Sequence, residues 1–325
     1  MDSNTKIRRD VPLWNETRWN GCWNPDDGVG LYLHGGRFRK DLDMWWAQTV
    51  AFLPGAQLAV DRFWGRNATT DGIRFGNYDL TMTEDGWTSR FDGVGELTTV
   101  ADLSLGPRGS TEPIVSVQWE MTARAAAPQW DLYERAETEK LDFAGDTHVQ
   151  GGYHTTGYLR VDGIEYRLDG IGFKDHSSGV RDWDRWDHHA FMLAIMPEWT
   201  LHAVMIAPGD DRAPTHIGVL YRDGQRIPLL GFEIPKLADM EVPGPMDLVV
   251  TTGTGETLRL VAEQVHGLPM TMTPDNNYIN GINWDGAGEP VALIEGISRI
   301  TTEAGSVGYA HLERSALCSA VKRPG

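Results

Sequence analysis

The segment Gly172-Phe173-Lys174-Asp175-His176-Ser177-Ser178-Gly179-Val180-Arg181-Asp182-Trp183-Asp184-Arg185-Trp186-Asp187-His188-His189 places four aspartates, three histidines, two arginines and two tryptophans within eighteen residues. Carboxylates interleaved with imidazoles and guanidiniums are the makings of acid–base chemistry, and the apolar run 189–196 that follows sets them beside a hydrophobic interior. An aspartate held against tryptophan faces has its charged form disfavoured and can keep a proton to deliver. Asp175 is therefore the candidate acid, with His176 to orient it or serve as base, and Arg181 with Asp182 to hold the loop in place. A neighbouring Arg181 or Arg185 would favour the carboxylate instead, and the residue types leave both environments open. Candidate substrate-binding groups are Trp183 and Trp186, with His154, His202 and Tyr278, the last read as part of a loop, drawn from elsewhere in the chain.

On a regular strand Phe173, Asp175 and Ser177 share one face, and Lys174, His176 and Ser178 the other. Asp175 and His176 can reach one pocket only if a bulge at Ser177-Ser178-Gly179 re-aims them. Arg181, Asp182, Asp184, Arg185 and Asp187 read equally as an ion-pair network closing a barrel end over Trp183 and Trp186. His188 and His189 point to opposite faces of a strand, and no other ligand-type spacing lies nearby, so no metal site is expected.

The elements that must position these groups are almost all strands. Short alternating runs bounded by Gly, Asp, Asn and Pro recur throughout, the pattern of an antiparallel sandwich or barrel. Asp162-Gly163 and Asp223-Gly224 each predict a tight hairpin. Further strands are expected over 30–34, 58–64, 114–123, 189–196, 201–206, 246–251, 258–264, 291–300 and 306–312. Asp41–Trp46 and Ala123–Ala127 are read as single helical turns. The Ala/Pro and charged stretch 125–145 interrupts the strand rhythm, so the chain is divided into an N-terminal β-barrel or sandwich, 1–135, and a C-terminal one, 136–325, carrying the Asp/His/Arg/Trp segment.

Composition removes several classes of function. With 29 Lys plus Arg against 46 Asp plus Glu, the formal charge of −17 repels a phosphate backbone, and nucleic acid is not an expected partner. Cys22 and Cys318 have no ligand or redox spacing, and no run approaches the ~20 apolar residues of a membrane helix. The expected protein is cytoplasmic, without stable membrane insertion, and its oligomeric state is left open. No GxSxG, GxGxxG or GxxxxGK[ST] occurs, so neither a nucleophile elbow nor a nucleotide cofactor is expected. Thirteen tryptophans and eleven methionines suit a hydrophobic ligand cavity or a Trp-rich core equally.

Across Asp175-His176-Ser177-Ser178-Gly179-Val180-Arg181-Asp182-Trp183 the chain resembles the Asp-His-Ser-Trp-Gly-x-Arg-Asp-Trp pattern of bacterial lipocalin-like proteins, distantly akin to the carotenoid 1,2-hydratase and AttH-like group. Ser178 stands where that pattern has tryptophan. Trp23 to Gly30, Glu295-Gly296 and Gly305 to Glu313 are also similar to that group. The resemblance implies two consecutive lipocalin-like (calycin) antiparallel β-barrels or sandwiches, a hydrophobic isoprenoid, polyene or steroid-like substrate, and acid chemistry without a cofactor.

Residues and resemblance together predict a cofactor-independent lyase or isomerase of hydratase, dehydratase or cyclase type, working by acid–base chemistry in a Trp-lined cavity. The alternatives are a non-catalytic carrier of a hydrophobic small molecule and a cyclase that acts by shaping a polyene.

Overall fold

The computed structural model describes residues 2–107, 113–133, 145–182, 185–209, 212–241, 244–273 and 278–324. It is nearly all β, in two antiparallel sheets, as the strand pattern predicts. By contact the chain divides into two units: residues 2–99, 113–133 and 145–181 form the first, and residues 100–107 and 182–324 the second.

The first unit is built on eight strands: β1 (Trp14–Asn24), β2 (Val29–Phe38), β3 (Asp41–Leu53), β4 (Gln57–Arg66), β5 (Gly86–Thr99), β6 (Ile114–Ala125), β7 (Thr147–Val161) and β8 (Gly170–Val180). Each pairs with the next, and β8 pairs back onto β1, so the sheet closes on itself as an up-and-down barrel without free edges. Cys22, Leu31, Leu33, Trp45, Trp87, Trp119 and Tyr153 fill the interior. It is a packed core rather than an open lumen.

The second unit repeats the plan with β9 (Trp186–Ile195), β10 (Trp199–Pro208), β11 (Thr215–Arg222), β12 (Gln225–Glu233), β13 (Met246–Thr252), β14 (Thr257–Met272), β15 (Val291–Thr302) and β16 (Val307–Leu317). Sequential pairing again closes the ring, β16 onto β9. Alternate residues from Ala190 to Met196 and from Leu201 to Ala207 enter its core.

Local chemistry explains the hairpins. Asp162 and Gly163 have φ of 47° and 80°, and Asp223 and Gly224 have 50° and 72°, the paired left-handed residues of a turn whose twist matches the strands. Three expectations are corrected. Asp41–Trp46 opens strand β3, with Trp45 and Trp46 buried on opposite faces, and Ala123–Ala125 completes β6. The division expected at 135/136 falls instead at 181/182, because residues 145–181 supply the two strands that close the first barrel. Asp175 and its neighbours thus belong to the first unit. No helix among the described residues is long and apolar enough to cross a membrane.

Candidate functional site

On β8 the register runs unbroken against β1, from Ile171↔Trp23 to Val180↔Trp14. Gly179 takes a φ of 129°, and its missing Cβ makes room for the backbone of Gly145 and Asp146, but it shifts no pairing. Asp175 and His176 therefore face opposite sides of the sheet, and the bulge that would have brought them together is not formed. Parity with Cys22, Leu33 and Tyr153 puts His176 on the core side and Asp175 on the outer side.

The outer side carries an ordered row. Gln150, Asp175, Trp19, His34, Gln48 and Arg62 are register partners across β7, β8, β1, β2, β3 and β4. An aromatic platform runs alongside: Phe173 stacks on Trp19 at 6.0 Å, Trp19 meets Tyr32 at 5.9 Å, Tyr32 meets His34 at 5.8 Å and His34 meets Trp46 at 4.9 Å. The Tyr32 hydroxyl lies 2.9 Å from His34 Nδ1. Gly36 lets the Trp46 ring cross the sheet, since a Cβ there would stand 2.8 Å from both Trp46 and Thr17.

At one end of this row stands a histidine–aspartate pair. The Asp175 carboxylate is hydrogen-bonded to His148 Nε2, and Gln150 Nε2 lies 3.3 Å from the same imidazole nitrogen. The Ser177 hydroxyl donates to the other Asp175 oxygen at 3.2 Å and itself accepts from the Arg181 guanidinium. His148 and Asp175 side chains keep 22% and 14% exposure, enough for a reacting group to reach the imidazole. Burial pushes the Asp175 carboxyl upward, but the His148 contact and the charges of Arg181 and His176 outweigh it and hold the group below its ordinary range. Of the two environments the sequence left open, the carboxylate prevails: Asp175 orients the His148 imidazole, a side chain that can give or take a proton.

The core side of the same strands carries a second, denser group. His176 Nδ1 lies 2.6 Å from Asp2 and Nε2 lies 3.0 Å from Glu16, so both ring nitrogens face carboxylate oxygens. Arg37 Nε donates to Glu16 at 2.7 Å, while Arg18 and Lys174 reach Asp2 at 3.0 and 2.5 Å. Burial opposes ionisation of Asp2 and Glu16, yet the His176 contact, with Arg18 and Lys174 at Asp2 and Arg37 at Glu16, holds both carboxyls below their usual range.

Among the described residues, the other expected site residues divide between those that reach Asp175 and those that do not. Arg181 reaches it through Ser177. His154 is exposed on β7 opposite Ile171, and Trp183 lies outside the described residues. Asp182, Trp186, His202 and Tyr278 belong to the second unit. There the Asp182 carbonyl accepts from the Arg185 amide at 3.4 Å, and Trp186 packs edge-on against His189 at 4.9 Å. Tyr278 is buried in a short strand paired with Met272. His202 is wholly buried, which pulls its imidazole down to about 3 and keeps it neutral. Among the described residues one group could hold a cation: Glu295, His311 and Glu313, with ligand atoms all within 4.8 Å of one another.

None of His148, Gln150, His34, Trp19, Glu16 and Arg18 is among the site residues expected from the sequence. A usable signal was present in Trp14-Asn15-Glu16-Thr17-Arg18-Trp19-Asn20, where charged residues alternate with positions on the tryptophan face.

Comparison with solved structures finds the same fold at low identity. A Nitrosomonas europaea protein assigned as AttH aligns at 12% identity over 95% of this chain and 94% of that one, with a TM-score of 0.59. CghA, solved with Sch210972, aligns at 12% identity over 94% and 89%, also at 0.59. Kievitone hydratase from Nectria haematococca aligns at 10% identity over 93% and 88%, at 0.52. Comparison with curated proteins gives no match. A family model matches residues 2–315, nearly the whole chain, and the protein belongs to that family, described as a domain of unknown function, DUF7064.

Proposed function

We propose that the protein is a cofactor-independent lyase or isomerase of hydratase, dehydratase or cyclase type, which moves a proton at carbon on a hydrophobic substrate of isoprenoid, polyene or steroid type. The observation that carries this reading is the His148–Asp175 couple at the end of the aromatic platform. A substrate alkene or alcohol lies against Trp19, His148 exchanges the proton, and the indole face stabilises positive charge developing on carbon. His34 stands two strands from Asp175 in the same row, about 10 Å away by strand spacing, where with Tyr32 it serves as a second proton carrier for water. A fold relative that is itself a hydratase supports the reaction class. The filled interior of the first barrel disfavours a carrier that holds its ligand there.

The test is incubation with terpenoid, polyene and steroid alkenes and alcohols in deuterated water, read by mass spectrometry. Deuterium fixed at carbon by the wild type and lost in Asp175→Asn supports the reading. A panel member that binds and is left unlabelled, or is turned over equally by both proteins, contradicts it.

A further inference from the structure

We propose that Arg18, Lys174 and His176 form a carboxylate-binding site at the end of the first barrel, which Asp2 fills in this structure and which a small organic carboxylate can take in its place. The proposal is independent of the chemistry at Asp175, which lies on the other face of the sheet.

The receptor is built from regular strands and is fully covered. Arg18 on β1 and Lys174 on β8 are 0% and 1% exposed, and His176 neighbours Arg18 in the ladder. All three point their donors at one carboxylate: Arg18 Nη1 at 3.0 Å and Lys174 Nζ at 2.5 Å to one oxygen, His176 Nδ1 at 2.6 Å to the other. Arg18 uses its remaining nitrogens on the same segment, Nη2 to the Asp2 carbonyl at 2.9 Å and Nε to Asn4 Oδ1 at 2.7 Å. Two cationic side chains and an imidazole around one carboxylate exceed what an ordinary surface ion pair assembles.

The occupant is of a different kind. Residues 2–7 have no regular secondary structure, and Ser3 and Lys6 are exposed. Besides Arg18, Lys174 and His176 at Asp2, the segment is held through hydrogen bonds of Ser3 to Asp71, of Asn4 to Thr69, Thr70 and Gly72, and of Thr5 to Glu16, Ser178 and Arg37, all of them from single residues rather than a strand ladder. A cavity of about 350 Å³ lies beside it, lined in part by Asn4, Thr5, Arg37, Trp45 and Asn67.

Energetics make the exchange specific. Glu16 is already engaged by Arg37 and His176, so without Asp2 the neutral oxygens of Gln129 and Asn4 would be left to face Lys174 and Arg18. An uncompensated buried charge is strongly unfavourable, so any opening of the segment favours entry of another anion. Arg18 and Lys174 converge on one oxygen of the carboxylate and His176 on the other, an arrangement that matches a two-oxygen anion.

The test uses the full chain with a fluorophore on Ser3→Cys; Cys22 and Cys318 are buried, which directs the label. Acetate and benzoate are expected to raise the mobility of the dye saturably, benzamide to leave it unchanged, and Lys174→Met to abolish the response. In Asp2→Asn, where the internal competitor is gone, the same carboxylates should raise the unfolding temperature with about ten-fold tighter apparent affinity than in wild type. Saturable release by neither carboxylate overturns the proposal and leaves a structural ion-pair cluster. Equal release by chloride overturns the carboxylate assignment. If Asp2→Asn fails to fold, the labelled wild-type arm decides alone.

Discussion

The His148 imidazole and the Asp175 carboxylate meet diagonally across the β7–β8 ladder, where Asp175 is paired in register with Gln150 and His148 with Ser177. Adjacent strands hold both side chains on one face, so the couple is fixed by the sheet rather than by a loop. Asp175 is the register partner of Trp19, whose ring stacks on Phe173, so the pair stands at the edge of the aromatic row.

The core-side cluster makes a stability prediction. Glu16 is buried and accepts from Arg37, His176 and the Thr5 amide, so Glu16→Gln leaves buried cations short of a counter-charge. Chemical denaturation should show a loss of about 3–5 kcal/mol. A loss below 1 kcal/mol would mean that the cluster relaxes into solvent.

His202 gives the second unit a pH response. Its imidazole is pulled down to about 3 by burial, from 6.5 unfolded, so the native state holds fewer protons than the unfolded state between those values. Its contribution to stability is complete above pH 6.5 and shrinks as the pH falls toward 3. His202→Gln should flatten the fall in unfolding temperature over this interval, measured against wild type by calorimetry. An unchanged slope would contradict the neutral buried state.

The platform depends on a missing side chain. Gly36→Val would drive a branched carbon into Trp46 and Thr17, at a cost of about 1–3 kcal/mol for overpacking. Tryptophan fluorescence should shift as Trp46 leaves His34, and turnover should fall while the His148–Asp175 bond persists. Full activity with a displaced Trp46 would remove the platform from the site.

How much of this was legible in the sequence follows from the range of each interaction. The hairpins at Asp162-Gly163 and Asp223-Gly224 are local, and their residues specify them. Asp41–Trp46 was obscure because Asp41–Met44 are partly exposed on both faces while the strand from Trp45 onward is buried on both, so neither stretch shows the alternation that marks a half-exposed strand. The place of Asp175 on β8 was readable from parity, but its partner was not: His148 lies 27 residues away, and Asp2 meets His176 across 174 residues. The pairing of β8 with β1 that closes the barrel leaves no local mark, which is why the boundary was placed at the interrupted stretch near residue 135.

The central claim is tested most directly by the rate of solvent deuterium incorporation into a bound alkene or alcohol, measured for wild type, His148→Gln, Asp175→Asn and the double variant. If the two residues form one proton-transfer couple, each single variant loses about 10²–10⁴-fold and the double variant loses no more than the worse single. Losses that multiply, or a His148→Gln enzyme that labels substrate at the wild-type rate, would contradict it.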